Sequence, residues 1–151
     1  MRENSFLERA WVDYRASDVQ SGKDVTEILT ARTTDNMKDV ISILKKHNIS
    51  QLPVVDENDL LVGIVTEIDL LNHMLLTDHV HEPDETIESI VDPNVPVVRP
   101  NTPLETLMAI FSNRNVVVIA VDGKIKGILT KIDILDFVSS QIWYEIELIL
   151  Y

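Results

Sequence analysis

The nine residues GIVTEIDLL beginning at Gly63 return as GILTKIDIL beginning at Gly127, 64 positions later (127 − 63). A chain that repeats a supersecondary unit at this distance is built from two copies of one small fold, so the repeat constrains the architecture before any other feature does. The copies extend upstream of the motif. TTDNMKDVISILKKHN places Met37, Val40, Ile41 and Leu44 at i, i+3, i+4 and i+7, and NTPLETLMAIFSNRN gives Leu104, Leu107, Met108 and Phe111 the same spacing. Each spacing predicts an amphipathic helix. In the second, Thr102 is expected as N-cap, Pro103 as the first helical residue and Glu105 as the partner that closes a capping box.

A β-rich segment follows each helix. QLPVVDENDLLVGIVT reads as strand, polar turn and strand, and VVVIAVDGKIKGILT as two strands around Asp122-Gly123, a strong signal for a two-residue hairpin. Helix resumes after Thr66 and Thr130, with Ile68, Leu71, Asn72 and Leu75 expected on one side of the first and Ile132, Leu135 and Asp136 on the same side of the second. Upstream of each unit lie a short helical piece (DVTEILT, ETIESIV) and an extended stretch (ARTT, PNVPVVRP). The predicted class is α/β of the α+β type, as two β-α-β-β-α repeats. The expected divisions are a linker or helix at 1–20, repeats at 21–76 and 86–140, a polar connection at 77–85 and an apolar tail at 141–151.

Composition narrows the function. With 13 Lys and Arg against 25 Asp and Glu, the net charge is −12. That leaves no basic stripe for a nucleic acid or an anionic membrane surface. The absence of cysteine removes disulfides, thiolate catalysis and thiolate metal sites. No apolar run approaches a membrane span and the first residues hold no apolar signal core, so a cytoplasmic protein is expected.

The helix followed by HNISQLPVVDENDLLVGIVTEIDLL, with its twin VVVIAVDGKIKGILTKIDILDFV, resembles a tandem pair of CBS domains, the Bateman module. The resemblance implies two repeats packed with pseudo-two-fold symmetry, association into a homodimer, and an adenosyl effector (S-adenosylmethionine, AMP, ADP or ATP) bound between them, with no covalent cofactor. It also implies a regulatory role without catalysis. MRENSFLE and TKIDILDFVSSQ are similar to the linker and regulatory tail of bacterial cystathionine β-synthase, which would place a pyridoxal-phosphate catalytic domain upstream. By this resemblance, one site joins Thr130 and Asp133 to Ile49, Ser50, Gln51, Leu52 and Pro53, and the other joins Thr66 and Asp69 to Asn115, Val116 and Val117. The second repeat lacks the Ser and Pro of SQLP, so three valines could fill the second site.

The residues alone leave two readings of the motif open. Thr66 and Thr130 can cap helices, with Asp69 and Asp133 at the third position of a capping box and Gly63 and Gly127 marking a bulge or close backbone approach. Alternatively, an ionised Asp accepts the two vicinal hydroxyls of a ribose, the helix start meets an anionic group, and glycine leaves room for a flat ring. An AMP or ATP phosphate would need Arg32, His47, Arg99, Arg114 or Lys131, whereas the acidic balance favours S-adenosylmethionine. His73, Asp78, His79 and His81 lie in or beside the connection without a second ligand pair at diagnostic spacing, and are expected to be solvated linker with no metal. The tail IWYEIELILY is expected to pack on a helix or a dimer partner, or else to be an artefact of the reading frame. A scaffold with empty clefts is the rival to a sensor.

Overall fold

The computed structural model describes residues 13–23, 28–76, 78 and 80–150, apart from the side chains of 144–149. The elements are α1 (Ala16–Ser21), β1 (Ala31–Arg32), α2 (Met37–His47), β2 (Gln51–Val55), β3 (Leu61–Thr66), α3 (Glu67–Leu76), a 3-10 turn (Glu88–Ile90), β4 (Val97–Val98), α4 (Leu104–Phe111), β5 (Val116–Val121), β6 (Lys124–Thr130) and α5 (Lys131–Leu150). They form two β-α-β-β-α repeats, as the sequence predicts. Each sheet has three strands in chain order, the first parallel to the middle strand and the third antiparallel to it. The registers correspond: Gln51 faces Thr66 and Val54 faces Gly63, as Val116 faces Thr130 and Ile119 faces Gly127. Both hairpins shift register beside the glycine, which is the bulge expected of that position.

Packing divides the chain into Leu29–Val95, here the N-terminal unit, and Met1–Ile28 with Pro96–Tyr151, here the C-terminal unit. In the N-terminal unit, Met37, Val40 and Leu44 of α2 pack on Leu52, Val54 and Val65 of the sheet and on Leu70, Ile87 and Ile90. In the C-terminal unit, Leu104, Leu107 and Phe111 of α4 meet Val117, Ile119, Leu129 and Ile134. Each fully buried aliphatic side chain contributes roughly 1.5–3 kcal/mol. The i, i+3, i+7 pattern of α4 holds, but Met108 is half exposed.

The helix starts explain how these cores close. Asn36 caps α2, its Oδ1 accepting the Asp39 N–H at 2.7 Å, and Asn48 ends the helix in the left-handed conformation. In α4 the expected Thr102 cap is not made. Pro103 is the N-cap, and the Thr102 hydroxyl instead accepts the Arg99 N–H at 2.9 Å. Backbone takes over the capping: the Leu104 N–H donates to the Tyr14 carbonyl at 2.9 Å. The start of α2 uses the same device, with the Met37 N–H on the Glu85 carbonyl at 2.7 Å and the Ile87 N–H on the Asp35 carbonyl at 3.0 Å.

The two repeats therefore exchange leading segments. Residues 14–23, which lead into β1, pack in the C-terminal unit, and residues 85–92, which lead into β4, pack in the N-terminal unit. Tyr14 lies edge-on to Phe137 at 5.0 Å and donates to Gln141 at 2.8 Å, while Ile64 and Asp92 exchange backbone hydrogen bonds of 2.9 and 2.8 Å.

Two local expectations are corrected. Of DVTEILT, residues 24–27 lie outside the described part and 28–30 are not helical, whereas ASDVQS forms the short helix α1. ETIESIV supplies one 3-10 turn. The residues expected to share one side, Ile68, Leu71 and Leu75 on α3 and Ile132 and Leu135 on α5, are exposed, while among the described residues Leu70 and Ile134 are buried. Both helices are apolar on more than one side, and Leu70 and Ile134 face the two cores.

Candidate functional site

The repeated motif starts a helix in both units. Glu67 and Lys131 are the first helical residues, so each threonine ends a strand and each aspartate stands in the first turn. Thr66 Oγ1 accepts the Asp69 N–H at 3.2 Å and donates to Asp69 Oδ2 at 2.8 Å. In the second copy the Thr130 N–H and hydroxyl both donate to Asp133 Oδ2, at 2.8 and 3.1 Å. The capping contacts are thus made, in complementary halves, by the two copies.

Lys23 was not legible in the sequence as a site residue. Its ammonium donates to Asp133 Oδ2 at 3.0 Å and to the Ile128 carbonyl at 2.8 Å, and both ion-pair partners are largely shielded from solvent. Three donors converge on one carboxylate oxygen. Among the described residues, none donates to the other oxygen, Oδ1, of Asp133. The pair opens onto a cavity of about 620 Å³ within the C-terminal unit, lined by Tyr14, Asp18, Gly22, Lys23, Asp133, Asp136, Phe137 and Gln141 among others. A cavity of this volume is in the range that small ligands occupy. It combines two aromatic rings with three carboxylates and a single ammonium among the described residues.

The glycines do not leave open space. A side chain at Gly63 would run into the backbone carbonyl of Asp92, and one at Gly127 into the side chain of Gln20, whose amide donates to the Lys126 carbonyl at 2.5 Å. The expected room for a flat ring is taken by the two exchanged leading segments. The close-approach reading accounts for both glycines.

Ile49, Ser50, Gln51, Leu52 and Pro53 lie in the N-terminal unit, where pairing of β2 with β3 sets Gln51 opposite Thr66 and the Glu67 N–H donates to the Ser50 carbonyl at 2.9 Å. Ser50 is exposed and its hydroxyl donates to Gln51, whereas Leu52 points into the core. Asn115, Val116 and Val117 lie in the C-terminal unit, with Val116 opposite Thr130. Asn115 is exposed and Val117 is committed to the core. Alternation along a strand requires this, so Leu52 and Val117 can offer a ligand only backbone atoms.

The phosphate candidates are spread over the surface. Arg32 is engaged by the hairpin, bonding the Asp56 carbonyl at 2.7 Å and Asp59 at 2.5 Å, while His47, Arg99, Arg114 and Lys131 are exposed. None of the five lines the cavity. Of the histidine segment, His79 lies outside the described residues. His73 and His81 are not solvated as expected: both are half-buried and meet Glu85, at 2.5 and 3.3 Å. The connection folds back against α3 and carries Glu85 to the histidines, a loop geometry with no sequence period. The tail forms the end of α5, where Trp143 and Leu150 are exposed.

Two β-α-β-β-α units, each opening its last helix with Thr-x-x-Asp, define the class of paired small α/β modules. Residues 18–76 and 87–140 each match the family model of the CBS domain, and the chain belongs to that family. Among curated proteins it is similar to the A-adding tRNA nucleotidyltransferase of Aquifex aeolicus (27% identical, covering 91% of this chain) and the L-aspartate semialdehyde sulfurtransferase of Methanocaldococcus jannaschii (33%, 70%). It is also similar to the cystathionine β-synthase of Dictyostelium discoideum (27%, 79%). The chain spans 16, 20 and 25% of these relatives' respective lengths.

Solved structures agree on the fold. A CBS domain-containing protein from Bacillus anthracis superposes with a TM-score of 0.76 at 16% identity, over 88% of this chain and 98% of that one. The CBS domain pair of protein MJ0100, in complex with 5′-methylthioadenosine and S-adenosyl-L-methionine, superposes with a TM-score of 0.70 at 27% identity, over 85% and 98%. Among the described residues no helix is long and apolar enough to cross a membrane.

Proposed function

We propose that this CBS pair is a regulatory module that binds an adenosyl compound and passes its occupancy to an enzyme joined to it or associated with it. The observation that carries this reading is Asp133, held at the start of α5 by Thr130 and presented to a cavity with one carboxylate oxygen unengaged among the described residues. A carboxylate so placed suits the vicinal hydroxyls of a ribose, and the rings of Tyr14 and Phe137 suit an apolar or aromatic group. The residues expected in the two sites, Thr130 and Asp133 with Ile49–Pro53 and Thr66 and Asp69 with Asn115–Val117, remain part of the proposal.

The cavity favours a cationic ligand. Asp18, Asp133 and Asp136 outnumber Lys23, so a triphosphate would be repelled where a sulfonium and an amine would be welcome. S-adenosylmethionine is accordingly the leading candidate, and the complex of the MJ0100 pair with that compound supports it. The relatives support regulation over catalysis: a segment shared with a nucleotidyltransferase, a sulfurtransferase and a cystathionine β-synthase is common to three different reactions. Cystathionine β-synthase, with its pyridoxal-phosphate domain, is the proposed parent.

A scaffold that binds no ligand is the second reading, and specific observations favour it. The caps are satisfied by the motif itself, and the glycine spaces are filled by Gln20 and Asp92. Thermal unfolding in S-adenosylmethionine, 5′-methylthioadenosine, AMP, ADP and ATP separates the two. A ligand at about 100 times its dissociation constant stabilises by roughly 2.7 kcal/mol, so the sensor reading predicts a clear rise with one of the five. An unchanged melting temperature in all of them supports the scaffold.

A further inference from the structure

We infer that His73, His81 and Glu85 form a binding site for a divalent transition metal ion, with zinc the ion their chemistry fits best. All three belong to the N-terminal unit, and the site is independent of the adenosyl reading. One donor atom from each lies within 4.8 Å of the other two. His73 Nε2 is 2.5 Å and His81 Nδ1 3.3 Å from the same oxygen, Glu85 Oε1, and the two rings meet edge-on at 5.1 Å.

The backbone holds two of the donors in place. His73 stands in the last turn of α3. Glu85 is tied at both backbone atoms: its N–H donates to the Glu82 carbonyl at 3.1 Å, and its carbonyl accepts the Met37 N–H at the start of α2. The next residue, Thr86, bridges Asn36. His81 then needs only the four-residue span to Glu85 to bring its ring over the carboxylate. Side-chain exposures of 14, 26 and 19% for His73, His81 and Glu85 describe a site shielded from bulk water yet open enough for an ion to enter.

The donor set selects the ion. Two imidazole nitrogens and one carboxylate oxygen are a set that zinc accepts with a fourth position left for water or another ligand. Calcium and magnesium prefer oxygen donors alone. Zinc at about 2.0–2.2 Å from each donor sets neighbouring donors about 3.3–3.5 Å apart in a tetrahedron. The His81 pair already has that separation, and the His73 pair reaches it by a side-chain movement of about 1 Å. An ion there would pin the end of α3 to the segment that caps α2.

The test uses the whole chain after removal of metal with a chelator. Zinc alone is titrated by calorimetry and by competition with a chromophoric chelator, and cobalt is added separately to read the visible absorption of a low-coordinate ion. The expected result is one zinc per chain and a cobalt spectrum of four- or five-coordinate type. His73→Gln and Glu85→Gln should each weaken zinc binding by at least about 10-fold, since even outer partners of metal ligands are worth that much. His47→Gln, which alters an exposed histidine on α2, should bind as the parent does. If either variant loses its circular dichroism signal, His81→Gln, on the connecting segment, supplies the same comparison. Failure of the parent to bind zinc stoichiometrically, or parent-like binding by folded variants at these three positions, overturns the site.

Discussion

The Lys23 ammonium lies 3.0 Å from Asp133 Oδ2, across 110 residues of chain. The aspartate that best suits a ribose is therefore already paired, by a residue from the segment that leads into β1. An ion pair of this partial burial is worth on the order of 1 kcal/mol, or about fivefold in an equilibrium. Lys23→Met should free the carboxylate and raise the affinity for 5′-methylthioadenosine, which carries no charge of its own, by about that factor. Fluorescence or calorimetric titration reads the change. A fall in affinity would identify Lys23 as a ligand contact rather than a competitor.

The two glycines of the repeated motif should respond differently to the same substitution. At Gly63 an added methyl meets the backbone carbonyl of Asp92, which is fixed by its two hydrogen bonds with Ile64. At Gly127 it meets the flexible end of Gln20. Gly63→Ala is expected to cost about 2–3 kcal/mol and Gly127→Ala about 1 kcal/mol or less, measured by denaturant unfolding. Equal costs would contradict the exchanged-segment packing.

The Asp122-Gly123 turn carries positive φ at both residues, 51° and 78°, as a type I′ hairpin requires. Gly123→Ala forces a side chain into that region and should destabilise by about 1–2 kcal/mol without altering ligand binding. Thermal unfolding and titration of the same variant check both halves of the statement.

Exposed aliphatic side chains on α3 and α5 point to self-association. Ile68, Leu71 and Leu75 form such a stripe on α3, and Ile132 and Leu135 lie exposed on α5. Apolar stripes of this kind mark interaction surfaces, and a homodimer is the expected occupant. Light scattering at micromolar concentration should give twice the chain mass, and Leu71→Glu or Leu135→Glu should return it to one. A monomeric parent would remove this expectation.

What was legible in the sequence is what local chemistry decides. The α2 spacing, the Asp122-Gly123 hairpin and the Thr-x-x-Asp helix starts each depend on residues within a turn or two of one another, so a linear reading reaches them. Which apolar side of α3 the sheet covers was not legible, because Ile68, Leu70, Leu71, Met74 and Leu75 offer apolar residues on more than one side and period alone does not choose between them. The Thr102 cap failed for a different reason. A backbone carbonyl from Tyr14, far away in the chain, took its place. Lys23 beside Asp133, Gln20 over Gly127, Asp92 against Gly63 and Glu85 between two histidines are all products of tertiary folding and leave no periodic trace.

The central claim rests on Asp133, and calorimetric titration of S-adenosylmethionine into the parent chain and Asp133→Ala tests it most directly. Loss of a charge-assisted interaction worth about 1.5–3 kcal/mol predicts an affinity lower by about 10- to 100-fold in the variant. Its melting should change little, because a capping carboxylate contributes about 1 kcal/mol or less. Saturable binding by the parent that the substitution leaves unchanged, together with a melting point several degrees lower, would contradict the account and reduce both copies of the motif to helix starts.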